Sequence, residues 1–262
     1  MNHNLKIAKD KYEGSTFVNR TGDTCVVEKY VNAREVYVTF DGKPYTKPLR
    51  VGNLVRGEFE NLYSPRVRGV GYLGIGKFSA KARLEYQTWN NMLKRAYDDK
   101  TKENQPSYKE TSVCEEWHNF QNFATWCNDQ VGFRTTDNNG KCYQLDKDLI
   151  ALGSKLYSPE TCCFIPQCLN LVVSKRISNR KYPTGVCFDT KTNKFIASLT
   201  KFGKYKFLGY FDNSEEAFQT FKVNKESYVA ELAEKWKGVI SDRVYKALLC
   251  YEVAKETENG NE

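Results

Sequence analysis

The sequence predicts an α+β protein with a small N-terminal β-barrel, a helical centre, and a C-terminal three-stranded sheet followed by a long helix. Three observations predict it. Short runs rich in β-branched and aromatic residues, separated by glycine-containing turns, fill residues 14–60. Apolar and aromatic residues then recur at three- and four-residue spacing around Trp89 and around Trp117. Three further β-prone runs between Thr184 and Phe211 lead into an amphipathic stretch ending near Trp236.

In the first region the runs are Phe17-Val18, Cys25–Val27 and Val36–Phe40, with Thr21-Gly22-Asp23 and Asp41-Gly42 as turn signals. About five strands in this span is the size of a small barrel. Residues 61–82 hold the glycine-rich stretch from Gly69 to Gly76, which lacks the Gly-Lys-Ser/Thr of a phosphate loop and any βαβ context. It reads as a linker or a tight β-element, and Arg66, Arg68 and Lys77 offer backbone contacts to a nucleic acid. Tyr86, Trp89, Met92, Leu93, Ala96 and Tyr97 define one helix face, and Trp117, Phe120, Phe123 and Trp126 a second. These aromatics read as the core of a helical pair rather than a base-stacking platform. Farther on, the runs Thr184–Phe188, Lys194–Thr200 and Lys204–Phe211 precede a helix capped by Asp212, with Glu215 as its capping-box partner. That helix would bury Ala217, Phe218, Phe221, Tyr228, Val229, Leu232 and Trp236. A last helix over 240–255 presents Val244, Ala247, Leu248 and Tyr251.

Composition narrows the function. The 262 residues allow one large domain or two to three small ones, and 40% hydrophobic content supports real cores. No run approaches the ~18 consecutive apolar residues of a membrane helix. The segment Met1–Gly14 has no apolar signal core, so the cytoplasm is the expected location and the nine cysteines are expected to be thiols. The net charge of +8 is local. Residues 174–206 hold nine basic residues (Lys175, Arg176, Arg180, Lys181, Lys191, Lys194, Lys201, Lys204 and Lys206) and one acid, Asp189. The remainder carries 31 basic and 31 acidic residues and nets zero. Interleaved with Tyr182, Phe188, Phe195 and Phe202, this block is the footprint of a polyanion-binding surface, with duplex DNA as the expected partner.

The residues Gly185-Val186, Lys194–Ala197, Leu208-Gly209-Tyr210-Phe211-Asp212 and Glu215-Glu216-Ala217 resemble the Apetala-type DNA-binding domain of plant ethylene-response factors and many phage proteins, over about 50 residues. The resemblance implies three strands packed on one helix, the opposite sheet face entering the major groove. Alternation along Lys194–Thr200 puts Phe195, Ala197 and Leu199 on one face, and Lys194, Ile196, Ser198 and Thr200 on the other. By the resemblance, Thr184, Cys187, Ser198, Thr200, Lys206 and Phe207 would face the groove, the other basic residues of the block completing the DNA contacts. Where the plant pattern has arginines at several of these positions, this chain has Lys, Ser and Thr, which suit phosphates better than guanine forks.

The middle of the chain resembles phage and intron-borne HNH endonucleases through Tyr86-x-x-Trp89-x-x-Met92, Val113-Cys114-x-x-Trp117-x-x-Phe120, Leu145–Asp148, Tyr157–Cys162 and Asn170. The resemblance implies a ββα unit holding one Mg²⁺ or Mn²⁺ between Asp146 and Asn170, beside a general-base histidine. Lys147 stands where that histidine is expected, and Thr161 replaces the asparagine that orients its loop. The only histidines are His3, at an expected floppy terminus, and His118, on the aromatic segment. Asp146 and Asp148 flanking Lys147 favour its charged form, which cannot accept a proton. Either the unit is a degenerate nuclease, or another base such as His118 serves it. Cys142, Cys162, Cys163 and Cys168 cluster without a CxxC pair, so buried thiols outweigh a zinc site.

With these resemblances the chain divides into a barrel (14–60), a linker (61–82), a helical plus HNH-like region (83–173), a basic linker (174–183), the Apetala-type domain (184–237) and a last helix (240–255). The leading expectation is a DNA-binding protein of HNH homing-endonuclease ancestry with a degenerate site. A metal-dependent homing-type endonuclease or nickase is the alternative. A third class is a protein-interaction module acting through the N-terminal barrel or the aromatic helices.

Overall fold

A computed structural model describes residues 3–81, 83–174 and 181–254 and divides the chain into two units, Met1–Asn128 and Asp129–Glu262. In the first, helix α1 (His3–Tyr12) precedes strands β1 (Thr16–Val18), β2 (Thr24–Asn32), β3 (Glu35–Phe40) and β4 (Lys43–Leu49), and helix α2 (Val51–Val55) follows. The N-terminal segment is not floppy: Leu5, Ala8 and Tyr12 recur on one helix face and pack on the core beside β2. Tyr12 stacks on Tyr30 with ring centroids 5.5 Å apart.

The strands pair in the order β1-β2-β3-β4 as an antiparallel meander, four rather than about five. The expected barrel is therefore an open sheet. Two features explain the open edges: β1 has only three residues, and β4 carries Pro44 and Pro48, which cannot donate ladder hydrogen bonds. The buried side of the sheet carries Cys25, Val27, Val36, Val38 and Phe40, which share a core with Leu54 of α2.

The glycine-rich stretch is stitched to the rest of this unit. Tyr72 donates its N–H to His118 O at 2.9 Å and accepts from Phe120 N–H at 2.9 Å. A side chain at Gly71 would meet Leu93 Cδ1 at 2.5 Å and the Trp89 ring at 2.8 Å, so close approach selects glycine there. Helices α3 (Arg83–Tyr97) and α4 (Asp99–Asn104), strand β5 (Ser112–Val113), a 3₁₀ turn (Glu115–His118) and helix α5 (Phe120–Asn128) complete the unit. Trp89, Met92, Leu93, Ala96, Trp117, Phe120 and Phe123 are all fully buried, so these aromatics are core as the spacing implied. Trp117 lies in the 3₁₀ turn rather than on α5, and its carbonyl accepts the Trp89 indole N–H at 2.7 Å.

The second unit opens with strands β6 (Gln144–Asp146), β7 (Leu156–Tyr157) and β8 (Cys163–Ile165) and helix α6 (Gln167–Val173). Strands β6 and β8 pair antiparallel, with Asp146 opposite Cys163. Strands β9 (Val186–Asp189), β10 (Lys194–Lys201) and β11 (Lys204–Phe211) form an antiparallel sheet in the order β11-β10-β9. Helices α7 (Ser214–Trp236) and α8 (Asp242–Leu249) follow. α7 covers one face of the sheet, and Ala197 and Leu199 meet Ala217, Phe218, Phe221, Tyr228 and Leu232 in one core. Ile165, Leu169 and Val173 belong to the same core, so the ββα element and the C-terminal sheet share one hydrophobic interior. The α7 cap is Asn213 rather than Asp212: its side chain accepts from Glu216 N–H at 2.9 Å. No helix among the described residues is long and apolar enough to cross a membrane.

Candidate nucleic-acid interface

Among the described residues α7 packs on one side of the β9–β11 sheet and the other face is left open, and register decides what it presents. Residues directly opposite in an antiparallel pair share a face. Along β10, Ala197 is fully buried and Leu199 is 6% exposed, which fixes Lys194, Ile196, Ser198 and Thr200 as the outer set, as alternation implied. Cys187 pairs with Ile196, and Asp189 with Lys194, so both join the outer face from β9.

Strand β11 contributes an aromatic row. Tyr205 pairs with Thr200, Phe207 with Ser198 and Tyr210 with Ile196. Phe207 and Tyr210 are three apart and would point to opposite faces of a regular strand. A bulge prevents this: Ala197 pairs with Gly209 while the next residue, Ser198, pairs with Phe207, leaving Leu208 as an extra residue directed to the core. Gly209 adopts φ +145°, a conformation essentially reserved for glycine. The two rings thereby meet edge to face with centroids 5.1 Å apart. Tyr205, Phe207 and Tyr210 are 69%, 47% and 51% exposed.

The lysines sit elsewhere. Lys206 pairs with buried Leu199 and Lys204 with Lys201, so register assigns these lysines to the helix side, at the β11 edge and hairpin tip. This corrects the expected groove position of Lys206, which cannot share a face with its neighbour Phe207. Lys201 is tied to Glu231 of α7, its ammonium 5.7 Å from the centre of the Tyr228 ring. Lys194 pairs with Asp212 at 3.1 Å. Lys191 is exposed in the β9–β10 turn, where its N–H donates to Asp189 Oδ1 at 3.0 Å. Lys181 is exposed beside the Tyr182 ring. Thr184 is half-buried in the turn leading into β9. Lys175, Arg176 and Arg180 lie outside the described residues. Charge therefore rims the sheet, while its open face is aromatic and hydroxyl-bearing. Tyr205 and Tyr210 were missed as site residues. The i, i+2 spacing of Tyr205 and Phe207 signals the first, whereas the bulge hides the second.

The ββα residues are engaged structurally. Asp146 is 9% exposed, and its Oδ1 accepts the backbone N–H groups of Asp148 and Leu149 at 3.0 and 2.8 Å. Burial pushes its carboxyl pKa up against the pull of these bonds. The Lys147 ammonium is buried, donating to Asp148 Oδ1 at 2.6 Å and Ser154 O at 2.9 Å. Asn170 donates to Gln144 Oε1 at 3.1 Å and accepts from the Ser174 hydroxyl at 3.0 Å. Thr161 donates to Leu156 O at 2.7 Å and accepts from Ser158 N–H at 3.0 Å, tying the loop ahead of β8. His118 belongs to the first unit, with the Tyr97 hydroxyl 3.2 Å from its Nε2.

These residues do not fit Mg²⁺ or Mn²⁺. Asp146 Oδ1 is taken by two backbone donors, and Asn170 is directed to Gln144 and Ser174. Among the described residues, no group of three or more His, Cys, Asp or Glu side chains is arranged to hold a metal ion. Zinc fares no better: Cys162 and Cys163 are buried while Cys142 and Cys168 are exposed. Burial pushes the Cys162 thiol up to about 12 and raises Cys163 as well, disfavouring the thiolates that zinc requires.

In the first unit, a polar knot joins Asn19, Thr21, Asp23 and Arg66 beside a cleft of about 370 Å³. Burial works to raise the Asp23 carboxyl, but bonds from Asn19, Thr21, Ser64 and Arg66 outweigh it and hold the group at about 2. Its hydrogen bonds are made within the knot, which braces the β1–β2 turn. No family model, curated protein or solved structure matches this chain.

Proposed function

We propose that this protein binds double-stranded DNA through the free face of the β9–β11 sheet, with its ββα element a nuclease remnant that no longer cuts. One observation carries the reading. The stretch 174–206, whose net charge equals that of the whole chain, overlaps a three-stranded sheet whose second face has no cover among the described residues. A twisted sheet backed by one helix has the shape to enter a major groove, and lysines at its margins suit the flanking phosphates. The exposed thiols Cys142, Cys168, Cys187 and Cys250 fit a reducing compartment such as the cytoplasm.

A gel shift on duplex DNA at rising salt tests the reading. Binding should weaken steeply with salt, the logarithmic slope giving the number of phosphates neutralised. Absence of a shift at low salt would sink it.

The loss of cutting rests on Asp146, Lys147 and Asn170, each engaged with protein groups, and on the absence of a histidine beside the acid. Supercoiled plasmid incubated with Mg²⁺ or Mn²⁺ should remain supercoiled. Nicking that disappears in Asp146→Ala or Asn170→Ala would restore the endonuclease reading.

A further inference from the structure

We infer that the free face of the sheet recognises the C5-methyl groups of thymine, so that it prefers A·T-rich duplex DNA. The inference rests on the DNA-binding reading above and names what that face reads. The argument is one of elimination followed by fit.

In the major groove, guanine is read by Arg or Lys, adenine by Asn or Gln, and the cytosine amino group by Asp or Glu. The middle of the face holds none of these. It consists of Cys187, Ile196, Ser198, Thr200, Tyr205, Phe207 and Tyr210. Its two charged residues lie at the strand ends and are already engaged, Asp189 by the Thr192 hydroxyl and the Lys191 N–H, Lys194 by Asp212. Hydroxyls of Ser198 and Thr200 accept and donate alike and discriminate poorly. What remains is apolar contact, and thymine alone among the four bases carries an apolar group into that groove.

Placement agrees. The bulge brings Phe207 and Tyr210 together beside Ile196, making a contiguous apolar surface near the centre of the sheet. Exposed lysines at the turn and the β11 edge supply the charge complementarity that commits this surface to a polyanion rather than to another protein. A methyl group buried against such a surface contributes about fourfold in affinity.

The test uses the full chain and fluorescence anisotropy on short duplexes of alternating A and T, against the same duplexes with uracil for thymine. Uracil removes the methyl and keeps the base-pairing edges and phosphates. The uracil duplex should bind about fourfold more weakly for each methyl covered. Adding that methyl elsewhere, with methylcytosine in a G·C duplex, should strengthen binding. Phe207→Ser, at a side chain 47% exposed, should bring the thymine-to-uracil ratio toward one without changing the salt slope. Equal affinity for the thymine and uracil duplexes, or an undiminished ratio in the variant, would overturn the inference and leave DNA binding standing. Tighter binding to the single strand than to the duplex would also overturn it, assigning the aromatics to base stacking. Failure to bind any duplex removes the DNA-binding reading itself, a distinguishable result.

Discussion

A chain in which Lys181, Lys191, Lys204 and Lys206 are all replaced by glutamine should bind duplex DNA about two to three orders of magnitude more weakly near physiological salt. Each ammonium that contacts a phosphate releases condensed counterions, so each loss should lower the logarithmic salt slope by about one. These four are exposed, whereas Lys201 is held by Glu231 against the Tyr228 ring. Lys201→Gln alone should therefore leave the slope almost unchanged. Titrations at several salt concentrations check both statements. A large slope change for Lys201→Gln would mean that the DNA approaches from the helix side, and an unchanged slope for the fourfold variant would remove these four lysines from the interface.

Gly185→Ala should destabilise the protein by about 2–5 kcal/mol, adding left-handed backbone strain to overpacking. Gly185 has φ +81°, and a Cβ there would fall 2.1 Å from the Phe221 ring, which is only 5% exposed. Gly203 provides the control. It has φ +75° at the β10–β11 hairpin tip, with no atom within 4 Å of an added Cβ. Gly203→Ala should lose only the strain, about 1–2 kcal/mol. Urea unfolding followed by fluorescence measures both, with a shifted midpoint and an unchanged slope marking a native-state effect. Equal losses at the two positions would mean that the Phe221 ring moves aside without cost.

What could be read from the sequence followed local periodicity. The alternation along Lys194–Thr200 assigned both faces of β10, and the three- and four-residue spacings located the α3, α5 and α7 cores. Properties that depend on a partner strand were not legible. Closure of the N-terminal sheet depends on whether its first and last strands can pair, and Pro44 and Pro48 argued against it only once β4 was known to lie at an edge. Lys206 was assigned to the groove by similarity, although its neighbour Phe207 was assigned there too. A strand's period of two forbids that pairing, and the register of Lys206 with Leu199 resolves it. The position of Tyr210 requires the bulge, which is visible only when β10 and β11 are counted against each other. Around Asp146, sequence supplied the absence of a nearby histidine. It did not supply the two backbone N–H groups that bond Oδ1 of that carboxylate.

The extra residue Leu208 makes the length of β11 part of its chemistry. Phe207 and Tyr210 share a face although three apart in sequence because one residue more than the ladder needs lies between them. A substitution at Phe207 or Tyr210 alters one contact and leaves the others intact. An in-frame deletion of Leu208 would leave Gly209, Tyr210 and Phe211 opposite Ala197, Ile196 and Phe195 as now, removing the bulge and the core contact of the Leu208 side chain. Position 208 is thus the one place in this run of the strand where a codon can be lost without turning Tyr210 or Phe211 over, whereas a loss on either side of it must be absorbed by the bulge.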